Sequence, residues 1–139
     1  MKAEDCIFFQ LSKASQRGAR FWSQKVACLN LTAVQAMVIR FLHDRDEITS
    51  AELGVRTDLD SATLTGILDR LESAGLVTRL PNPDDRRAIR VHLTTKGRET
   101  GSQVVKFMAE ANVEFVKGLS GDEERFLRST LQKIRKRNL

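Results

Sequence analysis

The chain has 139 residues and a formal net charge of +5, from 23 Lys and Arg against 18 Asp and Glu. Hydrophobic residues make up 41% and charged residues 29%, a balance typical of a globular rather than a disordered protein. No apolar run approaches the roughly 18–20 residues of a membrane span, and the acidic start is unlike a secretory signal. We therefore expect one globular domain with helical extensions, located in the cytoplasm.

The first predicted element is a long helix over residues 4–28, because apolar residues recur there at helical spacing. Thr32 and Gln35 then form a capping box, in which two side chains satisfy two free backbone N–H groups, and a second helix follows. We expect that helix to bury the apolar side chains of Val34, Met37, Val38, Phe41 and Leu42.

A pair of helices with a tight turn is predicted next. Thr49 and Glu52 form a second capping box, and the short helix after them is expected to carry Ala51, Leu53 and Val55 inward. Asp58 suits the turn, because Asp tolerates the left-handed conformation. The following helix is capped by Asp60 and ended by Gly75, and its apolar stripe is Leu64, Ile67, Leu68 and Leu71.

A β-hairpin and two helices complete the chain. Residues 76–80 and 89–93 read as strands, joined by a turn-rich segment with two acids and two arginines. A long helix then runs from Thr94 or Thr95 to about Lys117, and Gly118 ends it. Ser120 and Glu123 cap the last helix. The predicted fold class is mainly α with a small β-hairpin wing.

This order of elements is a winged helix-turn-helix pattern, which points to double-stranded DNA as the partner. The second helix of such a unit enters the major groove, and its N-terminal side chains reach base edges. The basic hairpin tip can place Arg86 or Arg87 in the adjacent minor groove, and Asp85 is expected to orient one of them. The expected DNA-binding residues are Ser61, Ala62, Thr63, Thr65, Gly66, Arg70, Asp85, Arg86, Arg87 and Arg90.

Charge is distributed unevenly along this unit. Residues 79–98 hold six basic and two acidic side chains, which favours a polyanionic partner. Residues 44–60 hold six acidic and two basic side chains. We expect this acidic stretch to face away from the phosphates, except for Asp60, whose charge should turn toward its own helix.

Two segments, TLTGILDRLESAGLV (63–77) and NPDDRRAIRVHLTTKG (82–97), resemble the MarR family of bacterial transcriptional regulators. The resemblance extends over the whole chain and implies an obligate homodimer bound to a pseudo-palindromic operator; we expect it to act as a repressor. It implies that residues 1–30 and 95–139 form a helical dimerisation region and residues 31–94 the DNA-binding domain. Two positions depart from the family pattern: Thr57 where an apolar residue is common, and Asp58 where glycine is common.

The dimer is also expected from the chain itself. The long amphipathic helices at both ends have no partner within the chain that is large enough to cover them. A two-fold dimer would place two recognition helices ~34 Å apart, which is one turn of DNA.

The resemblance also implies a small phenolic or anionic effector, bound between the dimerisation helices and the DNA-binding domain, or an oxidant sensed by a cysteine. Cys6 is the redox candidate, with a plain apolar role as the alternative. Arg20 or Arg40 would anchor an anion. The expected apolar walls, which ordinary core packing would equally explain, are Phe8, Trp22, Met37, Phe41 and Phe107.

Other classes of function were weighed against this reading. A winged-helix module that binds protein instead of DNA would carry apolar groups on the second helix and on the wing. An enzyme is disfavoured because His43 and His92 stand alone and the chain has no glycine-rich phosphate loop. We expect no cofactor and no metal site.

Overall fold

The computed structural model describes residues 1–138. Its helices are α1 (Ile7–Val26), α2 (Ala33–Asp44), α3 (Ser50–Thr57), α4 (Ser61–Ser73), α5 (Thr95–Phe115) and α6 (Gly121–Arg135), and its strands are β1 (Ile48–Thr49), β2 (Val77–Asn82) and β3 (Asp85–Leu93). Short 3-10 turns at Ala3–Asp5 and Ala27–Leu29 flank α1. The mainly α fold with a small wing is confirmed. The first helix begins at Ile7, however, and not at residue 4 as predicted.

The helix caps explain where the helices of the helix-turn-helix start and stop. Thr32 and Gln35 form the complete predicted capping box at the start of α2. At α3 only half of the box is present: the Thr49 hydroxyl accepts the Glu52 N–H, while the Glu52 carboxylate pairs with Arg45 at 3.1 Å. Asp58 ends α3 in the left-handed conformation with a φ of 56°. The turn therefore keeps its geometry without glycine, as predicted.

The sheet has three strands in the order β1-β3-β2, all antiparallel. The two-residue strand β1 was not predicted; it pairs Ile48 with Val91 and ties the start of α3 to the wing. The hairpin is also longer than predicted, because pairing continues to Asn82 and Asp85. A register shift after Pro81 accommodates the extra residues on β3.

A single hydrophobic core lies under α2, α3, α4 and the sheet. We call residues 31–94, which contribute most of it, the winged lobe; Ile39, Leu42, Leu53, Leu68 and Leu71 are among its fully buried side chains. Four predicted inward side chains are in fact exposed: Ala51 and Val55 on α3, and Val34 and Met37 on α2. Val55 is 78% exposed. In α3, which has 8 residues, Leu53 is the one buried side chain.

The start of α5 is fixed to the end of α4. The Thr94 hydroxyl donates to the Gly75 carbonyl at 2.6 Å, and the Lys96 ammonium donates to the Ala74 carbonyl at 3.0 Å. Gly97 is required there, because a Cβ on it would lie 2.0 Å from the Leu76 carbonyl oxygen. The winged lobe and the long helix α5 are therefore joined rigidly at this point.

The terminal helices leave apolar side chains uncovered. Phe8 on α1 is 81% exposed and Phe126 on α6 is 73% exposed. α6 buries no residue, and α1 buries only Val26. Among residues 1–138 no single helix is long and apolar enough to cross a membrane, although the bent pair 7–29 and 33–44 passes on length and composition together.

Candidate nucleic-acid interface

α4 presents a polar face to solvent because its apolar face is held in the core. Leu64, Leu68 and Leu71 are buried, which fixes the rotation of the helix about its axis. The six predicted DNA-binding residues of this helix are all exposed: Ser61, Ala62, Thr63, Thr65, Gly66 and Arg70. A Cβ built on Gly66 meets nothing within 4 Å, so the surface in front of it is open.

The hydroxyl protons of the two threonines on this face are already used within the chain. The Thr63 hydroxyl donates to Asp60 Oδ2 at 2.9 Å, and the Thr65 hydroxyl donates to the Ser61 carbonyl at 2.8 Å. Their oxygen atoms can still accept a hydrogen bond, and both residues are exposed. These two threonines are therefore suited to accept from a base amino group or to contact a thymine methyl.

Asp60 directs its charge into its own helix, as predicted. Its Oδ1 accepts the Thr63 N–H at 2.8 Å. Hydrogen bonds from the Thr63 backbone and side chain lower the pKa of Asp60 below its ordinary value. A carboxylate at the N-terminal end of α4 therefore stabilises the helix there.

The wing carries two exposed arginines at its tip, Arg86 and Arg87. Asp85 Oδ1 accepts the backbone N–H of Arg87 at 3.0 Å. The expected orienting contact thus acts on the main chain of an arginine, not on its guanidinium group. Arg90 lies further along β3, 3.7 Å from the Asp84 carboxylate.

Arg79 links α4, the helix predicted to enter the major groove, to the wing. It was not among the predicted site residues. Its guanidinium contacts Asp69 at 2.5 Å and Glu72 at 3.1 Å, both on α4. Its backbone N–H also donates to Glu72 at 3.1 Å. The hydrogen bond from Arg79 lowers the pKa of Glu72, and the two acids raise the pKa of Arg79. Arg79 therefore offsets the charge of two exposed acids of α4.

Most acids of the 44–60 stretch are paired with bases of the same chain. Asp44 contacts Arg40, Asp46 contacts Arg98 at 3.0 Å and Asp58 contacts Arg135 at 3.5 Å. Asp46 also accepts the Leu93 N–H, which locks it against β3. These pairs offset the local negative charge within the winged lobe.

Of the grooves beside the exposed face of α4, two hold most of the predicted DNA-binding residues. One, of about 420 Å³, lies between α3, α4 and the wing and brings Thr65 and Arg87 to the same depression. The other, of about 350 Å³, lies between α2 and α4 and is lined by Ala62, Thr63, Gly66 and Arg70. Thr65 of the predicted helix set and Arg87 of the wing therefore line the same groove.

A separate cavity of about 330 Å³ lies between α1, α2 and α5. Of the five predicted effector-binding residues, Trp22 and Met37 line it. Phe8 projects from the first turn of α1, Phe41 packs against the core and Phe107 is half-buried outside this cavity. Residues that the prediction missed include Phe21, Met108, Ala111 and Phe115, all within the apolar stripes of α1 and α5.

The predicted anion anchors do not line this cavity. Arg40 pairs with Asp44, and Arg20 lines a different depression, together with Lys13, Gln16 and Arg17. Cys6 is half-buried at the N-cap of α1, and Cys28 is exposed; both thiols are free.

Comparison with known proteins identifies the family. The model of the MarR family matches residues 31–89. The multiple antibiotic resistance protein MarR of Escherichia coli is 34% identical over 121 residues, which cover 86% of this chain and 84% of MarR. The chain belongs to the MarR family. This MarR-family chain is therefore a DNA-binding transcriptional regulator and not an enzyme, and the alternative of a module without DNA binding is not supported.

Further relatives agree with this assignment. The uncharacterized HTH-type regulator YdgJ of Bacillus subtilis is 32% identical over 78% of this chain, and the match spans 66% of YdgJ. A mutant of E. coli MarR, crystallised in complex with operator DNA, matches with a TM-score of 0.84, 33% identity and 90% of each chain covered. Bordetella bronchiseptica BpsR, described in terms of regulation of its DNA binding by 6-hydroxynicotinic acid, matches with a TM-score of 0.93, 26% identity and 99% of each chain covered.

Proposed function

We propose that this MarR-family regulator binds a pseudo-palindromic operator as a homodimer and represses transcription until an effector releases it. The observation that carries the proposal is the shared groove of Thr65 on α4 and Arg87 on the wing. A helix in the major groove and an arginine in the neighbouring minor groove then contact one duplex together. Such a protein acts on chromosomal DNA, so we place it in the cytoplasm.

Each residue of the interface has a proposed role. Ser61, Ala62, Thr63, Thr65 and Gly66 meet base edges at the exposed start of α4. Arg70 and Arg90 contact phosphates on either side, and Arg86 or Arg87 enters the minor groove. Asp85 supports the wing tip through the Arg87 N–H.

The uncovered terminal helices support the dimer. Residues 1–30 and 95–139 are proposed as the dimerisation region, and residues 31–94 as the DNA-binding domain. α6 has one apolar face, and four of its exposed side chains lie on it or beside it: Phe126, Leu127, Leu131 and Ile134. Water contact with that much apolar surface is unfavourable, and a second copy of the chain would remove it.

The effector is proposed to bind the cavity between α1, α2 and α5. α5 is rigidly joined to the end of α4 through Thr94, Lys96 and Gly97. A ligand that changes the packing of α5 would therefore change the spacing of the two recognition helices. The small-molecule control named for BpsR supports an effector of this kind here. Oxidation of Cys6 remains the second route to release.

The deciding experiment is selection of bound sequences from random DNA with the full chain. We expect enrichment of a two-fold symmetric site with half-sites about one helical turn apart. Affinity for that site should fall steeply with salt, because several phosphates are neutralised on binding. Enrichment of a single asymmetric half-site, or an affinity that does not respond to salt, would contradict the proposal.

A further inference from the structure

The cavity between α1, α2 and α5 has a chemical character that bears on whether its effector is a neutral or an anionic compound. Its walls are aromatic rings and thioethers: Phe21 and Trp22 from α1, Met37 from α2, and Met108 and Phe115 from α5. The Phe21 and Phe115 rings lie 5.4 Å apart, tilted by 53°. A volume of about 330 Å³ lies within the range of small-molecule sites.

The polar groups at this cavity already have partners. The indole N–H of Trp22 donates to the Ala33 carbonyl at 3.1 Å. Asn112 at the rim donates to the Met108 carbonyl at 2.7 Å, and its oxygen accepts from Arg128 at 3.1 Å. Trp22 would have to give up its partner to bind a polar ligand group, whereas Asn112 keeps a second amide N–H beyond the one bonded to Met108.

The nearby cations are likewise paired with carboxylates. Lys25 contacts Glu114 at 2.6 Å, and Arg128 contacts Glu124 at 2.7 Å. The cavity is open to solvent on one side, but a carboxylate seated against its apolar walls would lose part of its water and find no cation among the residues that line it. An uncharged aromatic ring would gain contacts with the aromatic rings and sulfur atoms of the walls, and it would lose little hydration.

We propose that this cavity binds an uncharged aromatic effector and discriminates against the corresponding carboxylate. This inference rests on the proposed function, because it names the chemical class of the effector for the site described there. It also predicts that Arg20 and Arg40 take no part in effector binding.

A matched pair of probes, 4-chlorobenzamide and 4-chlorobenzoate, tests the proposal. Trp22 is the sole tryptophan of the chain and lines the cavity, so its fluorescence reports binding directly. We expect the amide to bind about tenfold or more tightly than the carboxylate, because only the carboxylate must lose its charge hydration. Equal affinities, tighter binding of the carboxylate, or no binding of either probe because a second copy fills the cavity would overturn it.

Two variants and one control locate the site. Gly18→Leu extends a side chain into the cavity, since a first carbon at that position lies 3.7 Å from the Phe115 ring, and it should abolish amide binding. Met37→Lys places a cation at a half-open wall and should reverse the preference toward the carboxylate. Arg20→Ala should leave both affinities unchanged. Unaltered probe binding in both cavity variants would contradict the location.

Gel shifts without probe separate this inference from the proposed function. A variant that still binds the selected operator is folded and dimeric, so its loss of probe binding reports on the cavity alone. If the amide binds the cavity but does not weaken operator binding, the effector role fails and the ligand class stands. If no operator is found at all, the proposed function fails whatever the probes do.

Discussion

The winged lobe and the terminal helices both carry apolar side chains at helical spacing. Those of the winged lobe are buried, whereas those of the terminal helices are largely exposed. In α2, α3 and α4 the apolar stripes pack into one core around Leu42, Leu53 and Leu68. In α6 the stripe of Leu127, Leu131 and Ile134 stays at the surface. One chain can therefore complete the core of the winged lobe but not cover the terminal helices, which is why we expect affinity for a two-fold operator to depend on a second copy.

Disrupting the exposed apolar face of α6 should have the largest effect on operator binding. Leu131→Asp places a charge in the proposed dimer interface and should leave monomers, because burying an unpaired carboxylate is costly. Operator binding should then fall by about a hundredfold or more, since one half-site replaces two. Light scattering and gel shifts measure both effects.

The opposite face of α6 provides the matched control. Gln132→Asp introduces the same charge on the polar side of the helix and should leave both the dimer and its affinity intact. A monomeric Leu131→Asp protein that still bound the full operator at wild-type affinity would remove the argument for the dimer.

The wing arginine is the next largest contribution. Arg87→Ala should weaken operator binding by about tenfold without changing the oligomeric state, because a guanidinium group in the minor groove is lost. Arg125→Ala, an exposed arginine paired with Asp122 on α6, serves as the control. Wild-type affinity of the Arg87 variant in gel shifts would count against the wing contact.

Arg79, which links α4 to the wing, should contribute less to operator affinity. Arg79→Ala removes the contacts to Asp69 and Glu72 and exposes two acids beside the DNA, so affinity should fall roughly threefold to fivefold. Protection of the minor-groove positions in a footprint should weaken more than protection at the half-site centre. Arg79→Lys should restore part of the affinity and part of the minor-groove protection. Uniform weakening across the footprint would show that Arg79 acts only as a general charge.

Sequence reasoning found what local chemistry dictates. Caps at Thr32, Asp60 and Ser120 and the left-handed turn at Asp58 depend on residues close in sequence, and they were predicted. The strand β1 and the role of Arg79 were not, because both depend on partners brought together by the fold. Val55 was misplaced for a different reason: the 8 residues of α3 are too few for their apolar pattern to show which side is buried.

The cap of the recognition helix should show a pH-dependent effect. The folded-state pKa of Asp60 is lowered, so its stabilisation is complete above its ordinary value of 3.8 and is lost as pH falls through the folded pKa. Asp60→Asn keeps a capping oxygen without the charge. The wild type should therefore melt at a higher temperature than this variant at neutral pH, and the difference should shrink below about pH 4.

Asp60→Ala serves as the reference, because it removes both the capping oxygen and the negative charge at every pH. Thermal melts of the three proteins from pH 3 to pH 7 measure the comparison. An unchanged difference between wild type and Asp60→Asn across that range would contradict the assigned cause of the pKa shift.

The smallest effect on affinity is expected at Thr65, where a substitution should change base preference more than overall affinity. Its hydroxyl proton is committed to the Ser61 carbonyl, so only its oxygen and methyl group can meet a base. Thr65→Ala should relax the preference at one operator position while changing overall affinity little, since phosphate contacts supply most of the binding. Thr65→Ser, which keeps the hydroxyl and loses the methyl, distinguishes the two contacts. Sequence selection that returns an unaltered site for both variants would show that Thr65 does not face a base, and the rotation of α4 in the groove would have to differ from the one proposed.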